Sequence, residues 1–255
     1  MRLGTLRTDP IRRAAFVAGI LYLITFIASI PASLLLPPVL SGANYITGAG
    51  ADAPIGLAAI LEMVNVLACI GTAVAVFSVV KRQHEGLAVG FVATRLFEAA
   101  VITIGVVSIL SVAALRQTVS AGGYTASIVP VAQALVGIRD WSLVIGPGMA
   151  SFNALMFGTL LYRARLVPRA IPALGLIGAP LFITFVMGTM LGITGPGTLW
   201  QIIAVAPFFI WELLVGLWMT FKGFDRSSPI IAAAPVATVG APVPTHAMAA
   251  KAGAA

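Results

Sequence analysis

The sequence predicts an all-α polytopic membrane protein, a six-helix transmembrane bundle. Three observations predict it. Hydrophobic residues make up 60% of the chain and charged residues 9%, where a soluble domain carries about 25% charged residues. The apolar residues gather into six runs of 22–30 residues, each longer than the roughly 20 needed to cross a bilayer. The basic residues fall almost entirely on one side of those runs.

Residues 1–13 are polar and basic, with Arg2, Arg7, Arg12 and Arg13 against Asp9. The first run, 14–36, ends at Pro37-Pro38. A secretory signal peptide would share the basic start. Its apolar region would be shorter, however, and no small-x-small pair stands between Phe26 and Ser33 for cleavage, so an uncleaved helix is expected. After a Gly- and Pro-containing loop comes the second run, 55–80, then the polar turn Lys81-Arg82-Gln83-His84-Glu85 and the third run, 86–115. Residues 116–140 read as a connection. Its second half, Ser127 to Ile138, has Pro130 in the first turn and apolar residues at helical spacing. At about 12 residues it predicts a surface or partly inserted helix. The fourth run, 141–162, is interrupted by Gly146-Pro147-Gly148; the fifth and sixth are 170–194 and 198–221, the last containing Pro207. Residues 225–255 are Ala-, Pro- and Val-rich without helical periodicity and predict a disordered tail.

Charge orients the bundle. Twelve of the fifteen Lys and Arg residues lie before the first run, in the turns after the second and fourth runs, or beyond the sixth. Arg116 and Arg139 are expected on the opposite side, and Arg95 within the membrane. The positive-inside rule then predicts a multi-pass protein of the cell membrane with both termini cytoplasmic. The net charge of +7 follows from this topology. It implies contact with the lipid bilayer and no nucleic-acid partner.

Four ionisable residues fall inside the runs: Glu62, Arg95, Glu98 and Glu212. Counting about 1.5 Å per residue puts Arg95 level with Glu212 and Glu98 level with Glu62. Facing lipid, each would cost several kcal/mol, so they are expected to face one another as an intramembrane cluster, a candidate ligand or proton site. Tyr22, Asn65 and Asn153 are expected to line it. Three carboxylates against one guanidinium leave two negative charges, which a low-dielectric slab resists unless a proton or cation binds. Arg–Glu pairs and polar stripes also hold helices together with no further purpose.

Catalytic signatures are lacking: no His-Glu-x-x-His, no Gly-x-Ser-x-Gly, no phosphate-cradling Gly-rich loop and no histidine inside a run. No metal site and no cofactor are expected. The lone Cys69 excludes a disulfide framework.

The order and spacing of several short motifs carry a resemblance. They are Ala18-Gly19-Ile20-Leu21-Tyr22, Leu61-Glu62, Arg95-Leu96-Phe97-Glu98-Ala99, Gly146-Pro147-Gly148, Leu161-Tyr162-Arg163-Ala164-Arg165-Leu166-Val167-Pro168, Leu174-Gly175 with Gly178, Trp211-Glu212-Leu213, and Lys222-Gly223-Phe224. With these, residues 12–224 resemble the bacterial membrane family named domain of unknown function 4386. The resemblance implies a six-helix membrane domain and brings no catalytic residues with it. Two function classes follow. The leading one is a small transporter or proton- or cation-linked carrier that uses the Arg/Glu cluster, its partner a small ligand or ion. The other is a structural or sensory membrane subunit in which the cluster locks the bundle.

Overall fold

The computed structural model describes residues 9–36, 44–47, 52–122 and 125–232. Among them the regular elements are all helices: α1 (Pro10–Leu35), α2 (Asn44–Thr47), α3 (Ala53–Val80), α4 (Glu85–Ser120), α5 (Thr125–Ala164), α6 (Ala170–Met190), α7 (Leu199–Phe221) and α8 (Pro229–Ala232). Six of these are long and apolar enough to cross a membrane, which agrees with the fold class read from the sequence.

Local chemistry sets the helix starts. Asp9 Oδ1 accepts from the Ile11 N–H at 3.1 Å and Pro10 opens α1. His84 Nδ1 accepts from the Leu87 N–H at 3.2 Å, which makes the turn between α3 and α4 tight. Thr198 Oγ1 does the same for Gln201 at the start of α7. Each satisfies a donor that the first helical turn leaves without a partner.

The spanning helices form a closed ring. Each packs on its neighbours in sequence, and α7 returns to pack on α1. Gly19 makes that closure possible: a Cβ there would lie 2.5 Å from the Thr220 backbone nitrogen, so only glycine lets the two helices meet. Arg12 fastens the same seam by donating to the carbonyls of Met219, Thr220 and Phe221 at 2.9, 2.8 and 3.1 Å. A guanidinium on the last carbonyls of a helix also meets the negative end of its dipole. This end of the bundle, with the 81–84 and 165–169 turns, is here called basal; the other is distal.

Side chains fill the middle of the ring. Phe157 of α5 stacks on Phe91 of α4 with centroids 4.7 Å apart, and lies 6.2 Å from both Tyr22 of α1 and Trp211 of α7. All four are at most 1% exposed. The ring therefore has a packed aromatic centre.

Two expectations are corrected here. The connection at 116–140 and a separate fourth span at 141–162 are not found. α4 runs on to Ser120, and α5 is one 40-residue helix that takes in both Pro130 and Pro147. At about 60 Å, α5 is roughly twice the thickness of a hydrocarbon core. Packing explains why Gly146-Pro147-Gly148 does not break it: Gly146 sits against Ile102 of α4 and Gly148 against Val186 of α6, so both neighbours hold the helix through the lost hydrogen bond. The tail boundary also moves. Asp225 N–H donates to Leu166 O at 2.8 Å, Ser228 Oγ donates to Ala164 O at 2.5 Å, and Ser228 is 1% exposed. Residues 225–232 are thus docked on the α5–α6 turn, with Ile230 and Ile231 against the core and Arg226 paired to Asp9. The rest of the expected tail lies outside the described residues.

At the distal end Arg116 Nη1 lies 2.6 Å from Asp52 Oδ1, and Tyr45 donates to the same oxygen at 2.9 Å. Burial pushes the Asp52 carboxyl up. Hydrogen bonds from Tyr45, Gln117 and Arg116, with the Arg116 charge, outweigh it and hold the group below the ordinary carboxylate range. This latch ties the chain between α1 and α3 to α4.

Candidate functional site

The intramembrane charges come together in two layers. In the basal layer Arg95 of α4 reaches both Glu98, one turn along its own helix, and Glu212 of α7, with N···O distances of 3.1 Å each. Asn153 of α5 donates to Glu98 Oε2 at 2.6 Å. The Arg95 guanidinium lies 4.9 Å from the Tyr22 ring centroid and 5.8 Å from that of Phe91, so two aromatic faces support the buried cation. Arg95 is 2% exposed and Glu98 5%.

The distal layer is Glu62 of α3 with Arg139 of α5, 3.2 Å apart and both buried. Helix geometry explains the separation. Glu62 stands about 27 Å from the basal end of α3, whereas Arg95, Asn153 and Glu212 stand about 14–17 Å from the basal ends of theirs. The single slab expected from the sequence is therefore split, because α3, at 28 residues and about 42 Å, is longer than the roughly 30 Å core across which Glu62 was placed.

A stripe on α3 joins the layers. Asn65 Nδ2 donates to Glu62 Oε2 at 3.4 Å, Cys69 Sγ lies 3.8 Å from Asn65 Oδ1, and Arg95 Nη1 lies 3.6 Å from Cys69 Sγ. Tyr22, Asn65 and Asn153 all stand against the cluster. Three carboxylates share two guanidiniums, so the excess is one negative charge, not two.

Arg139 is the residue that sequence reasoning misplaced, on the distal surface. It is 2% exposed. A signal was available: Arg139, Ser142, Gly146, Ala150, Asn153 and Phe157 recur every three or four residues, one continuous helical face across the supposed boundary. Gly105 of α4 leaves the space that the Arg139 stem and Ser142 occupy.

Three buried polar atoms in or beside the basal layer, Arg95 Nε, Asn153 Oδ1 and Trp211 Nε1, have no hydrogen-bond partner among the described residues. A cavity of about 660 Å³ opens between α5, α6 and α7, lined by Asp140, Trp141, Phe182 and Gln201 among others; no residue of the cluster lines it. Among the described residues no three His, Cys, Asp or Glu side chains converge as metal ligands.

Six membrane-spanning-capable helices around a buried ionic network define a multi-pass α-helical membrane protein. Residues 17–223 match the family model described as Domain of unknown function (DUF4386), and the chain belongs to that family. No curated protein and no solved structure matches it.

Proposed function

We propose that the protein is a structural or sensory subunit of the cell membrane whose intramembrane charges lock the helix ring and carry no ion. One observation carries this: Arg95 ties two carboxylates together across α4 and α7 at 3.1 Å each, in a ring whose centre is filled by Tyr22, Phe91, Phe157 and Trp211. A carrier site needs an approach for its ion. In this bundle each charged member of the cluster is paired, and the distal cavity is lined by other residues. The positive-inside rule supports cytoplasmic termini, with the basal end facing the cytoplasm.

The experiment is proton flux in proteoliposomes under an imposed pH gradient, read with an internal pH-sensitive dye. Flux no greater than in empty vesicles is expected. The second reading, a proton- or cation-linked carrier, draws on the excess carboxylate and the unpartnered Arg95 Nε and Asn153 Oδ1. Protein-dependent flux that Glu98→Gln or Glu212→Gln abolishes would establish it instead. Reporter fusions at Phe224 test the orientation, and an extracytoplasmic signal there would reverse it.

A further inference from the structure

A second cavity, of about 500 Å³, opens at the basal end, between the α5–α6 turn and the end of α7. Its wall carries Arg165, Arg169 and Lys222, together with Trp218 and Asp225. None of the three cations has a side-chain ion pair or hydrogen bond among the described residues; Arg169 leans over the Tyr162 ring at 5.0 Å. The one carboxylate stays charged, since Asp225 Oδ1 accepts from Ser227 N–H at 2.9 Å and from Ser227 Oγ at 2.8 Å, so the wall keeps a net charge of two positive from its three cations.

Basic residues at helix ends often serve only the helix dipole. Here other groups take that role. Arg12 occupies the last carbonyls of α7, and Ser228 occupies the Ala164 carbonyl at the end of α5. Lys222 and Arg165 are left facing the cavity. Arg165 is also held at φ 53, the left-handed region where glycine is at ease and a long side chain is not. The position keeps its side chain against the backbone preference. Trp218, one turn before Lys222, is an amphipathic ring of the kind that settles at the headgroup level.

The geometry points to an anionic phospholipid in this cavity, its phosphate among Arg165, Arg169 and Lys222 and its chains along Trp218. The site is independent of the role assigned to the intramembrane cluster, and its test reads lipid binding alone. Free inorganic phosphate shares the recognised chemistry, so the experiment separates the two.

The full chain in detergent is titrated with phosphatidylglycerol or phosphatidylcholine, or with inorganic phosphate. Bound lipid is read by native mass spectrometry and thermal stability is followed in parallel. Phosphatidylglycerol should be retained selectively and raise the melting temperature, and added salt should weaken both effects. Lys222→Gln should lower its affinity about fivefold, and the triple change to Gln at 165, 169 and 222 on the order of a hundredfold. Arg165→Gly removes a cation while relieving the backbone. It should melt no lower than the parent in phosphatidylcholine and still lose phosphatidylglycerol selectivity, which keeps the test sound if the triple variant folds poorly. Equal retention of the two lipids, or undiminished selectivity in Lys222→Gln and Arg165→Gly, would overturn the proposal. So would stabilisation by inorganic phosphate that phosphatidylglycerol does not exceed.

Discussion

Replacing Arg95 by Leu removes the one cation of the basal layer and strands two carboxylates. Both of its pairs are at 3.1 Å and its side chain is 3% exposed, so little solvent screens the loss. Breaking a buried pair by deleting one partner costs about 3–5 kcal/mol, on the order of a hundred- to several thousandfold in a folding equilibrium. Arg95→Leu should therefore yield little monodisperse protein on size exclusion in detergent and a sharply lowered melting temperature. Neutralising the partners should reverse this. The triple variant Arg95→Leu, Glu98→Gln, Glu212→Gln leaves no unpaired charge, and apolar replacement of a buried ionic group is often neutral or stabilising. It should recover most of the stability. Glu98→Gln alone leaves Arg95 with Glu212 as a balanced pair and should be harmless. If Arg95→Leu melted with the parent, or the triple variant were no better than the single one, the locking argument would be wrong.

Arg139→Leu should show a loss of similar size, rescued by Glu62→Gln and not by Glu212→Gln, because the layers hold separate pairs; the readout is again melting in detergent. The distal latch has a pH signature. Asp52 titrates below its ordinary range when folded, so its contribution is present above about pH 3.9 and is lost as pH falls through the lower folded value. With about a third of that side chain in solvent, the contribution is below about 1 kcal/mol. The melting-temperature difference between the parent and Asp52→Asn should persist from neutral pH to about 4 and vanish in stronger acid. Truncation after Phe224 removes the Ser228 and Asp225 contacts and the Ile230–Ile231 packing, and should cost about 1–3 kcal/mol, read as earlier melting; an unchanged melt would show that the segment adds nothing to the bundle.

Hydropathy made the six spans legible because each buries or immerses a long apolar surface. It failed at α5 because an apolar threshold stops where polarity rises, at Arg139 and Asp140, while the helix continues as long as its neighbours hold it. The 3.6-residue period was the better guide there, since it runs unbroken from Arg139 to Phe157. Depth counting placed Arg95 and Glu212 level, and they are in contact. It put Glu62 too near the basal end because it counted from the distal edge across a core of about 30 Å, whereas α3 runs 28 residues, about 42 Å. Assigning Arg139 to the distal surface hid the Glu62–Arg139 pair and doubled the apparent charge excess. The docking of Ser228 was invisible because a single buried hydroxyl on a helix-end carbonyl leaves no periodic trace. What the cluster does has no sequence signature at all, since a lock and a proton site use the same residues.

Cys69 offers the most direct test. It is the only cysteine in the chain, it is 1% exposed, and its sulfur lies 3.6 Å from Arg95 between the two layers. Its reactivity therefore reports whether water reaches the cluster. The measurement is labelling by a small water-soluble maleimide in native membranes from pH 6 to 8, with an unfolded sample as the reference. A sealed lock predicts no labelling until the protein is denatured. Labelling in the folded protein at a rate near that of an exposed thiol, from either side of the membrane, would contradict it and return the cluster to the carrier reading.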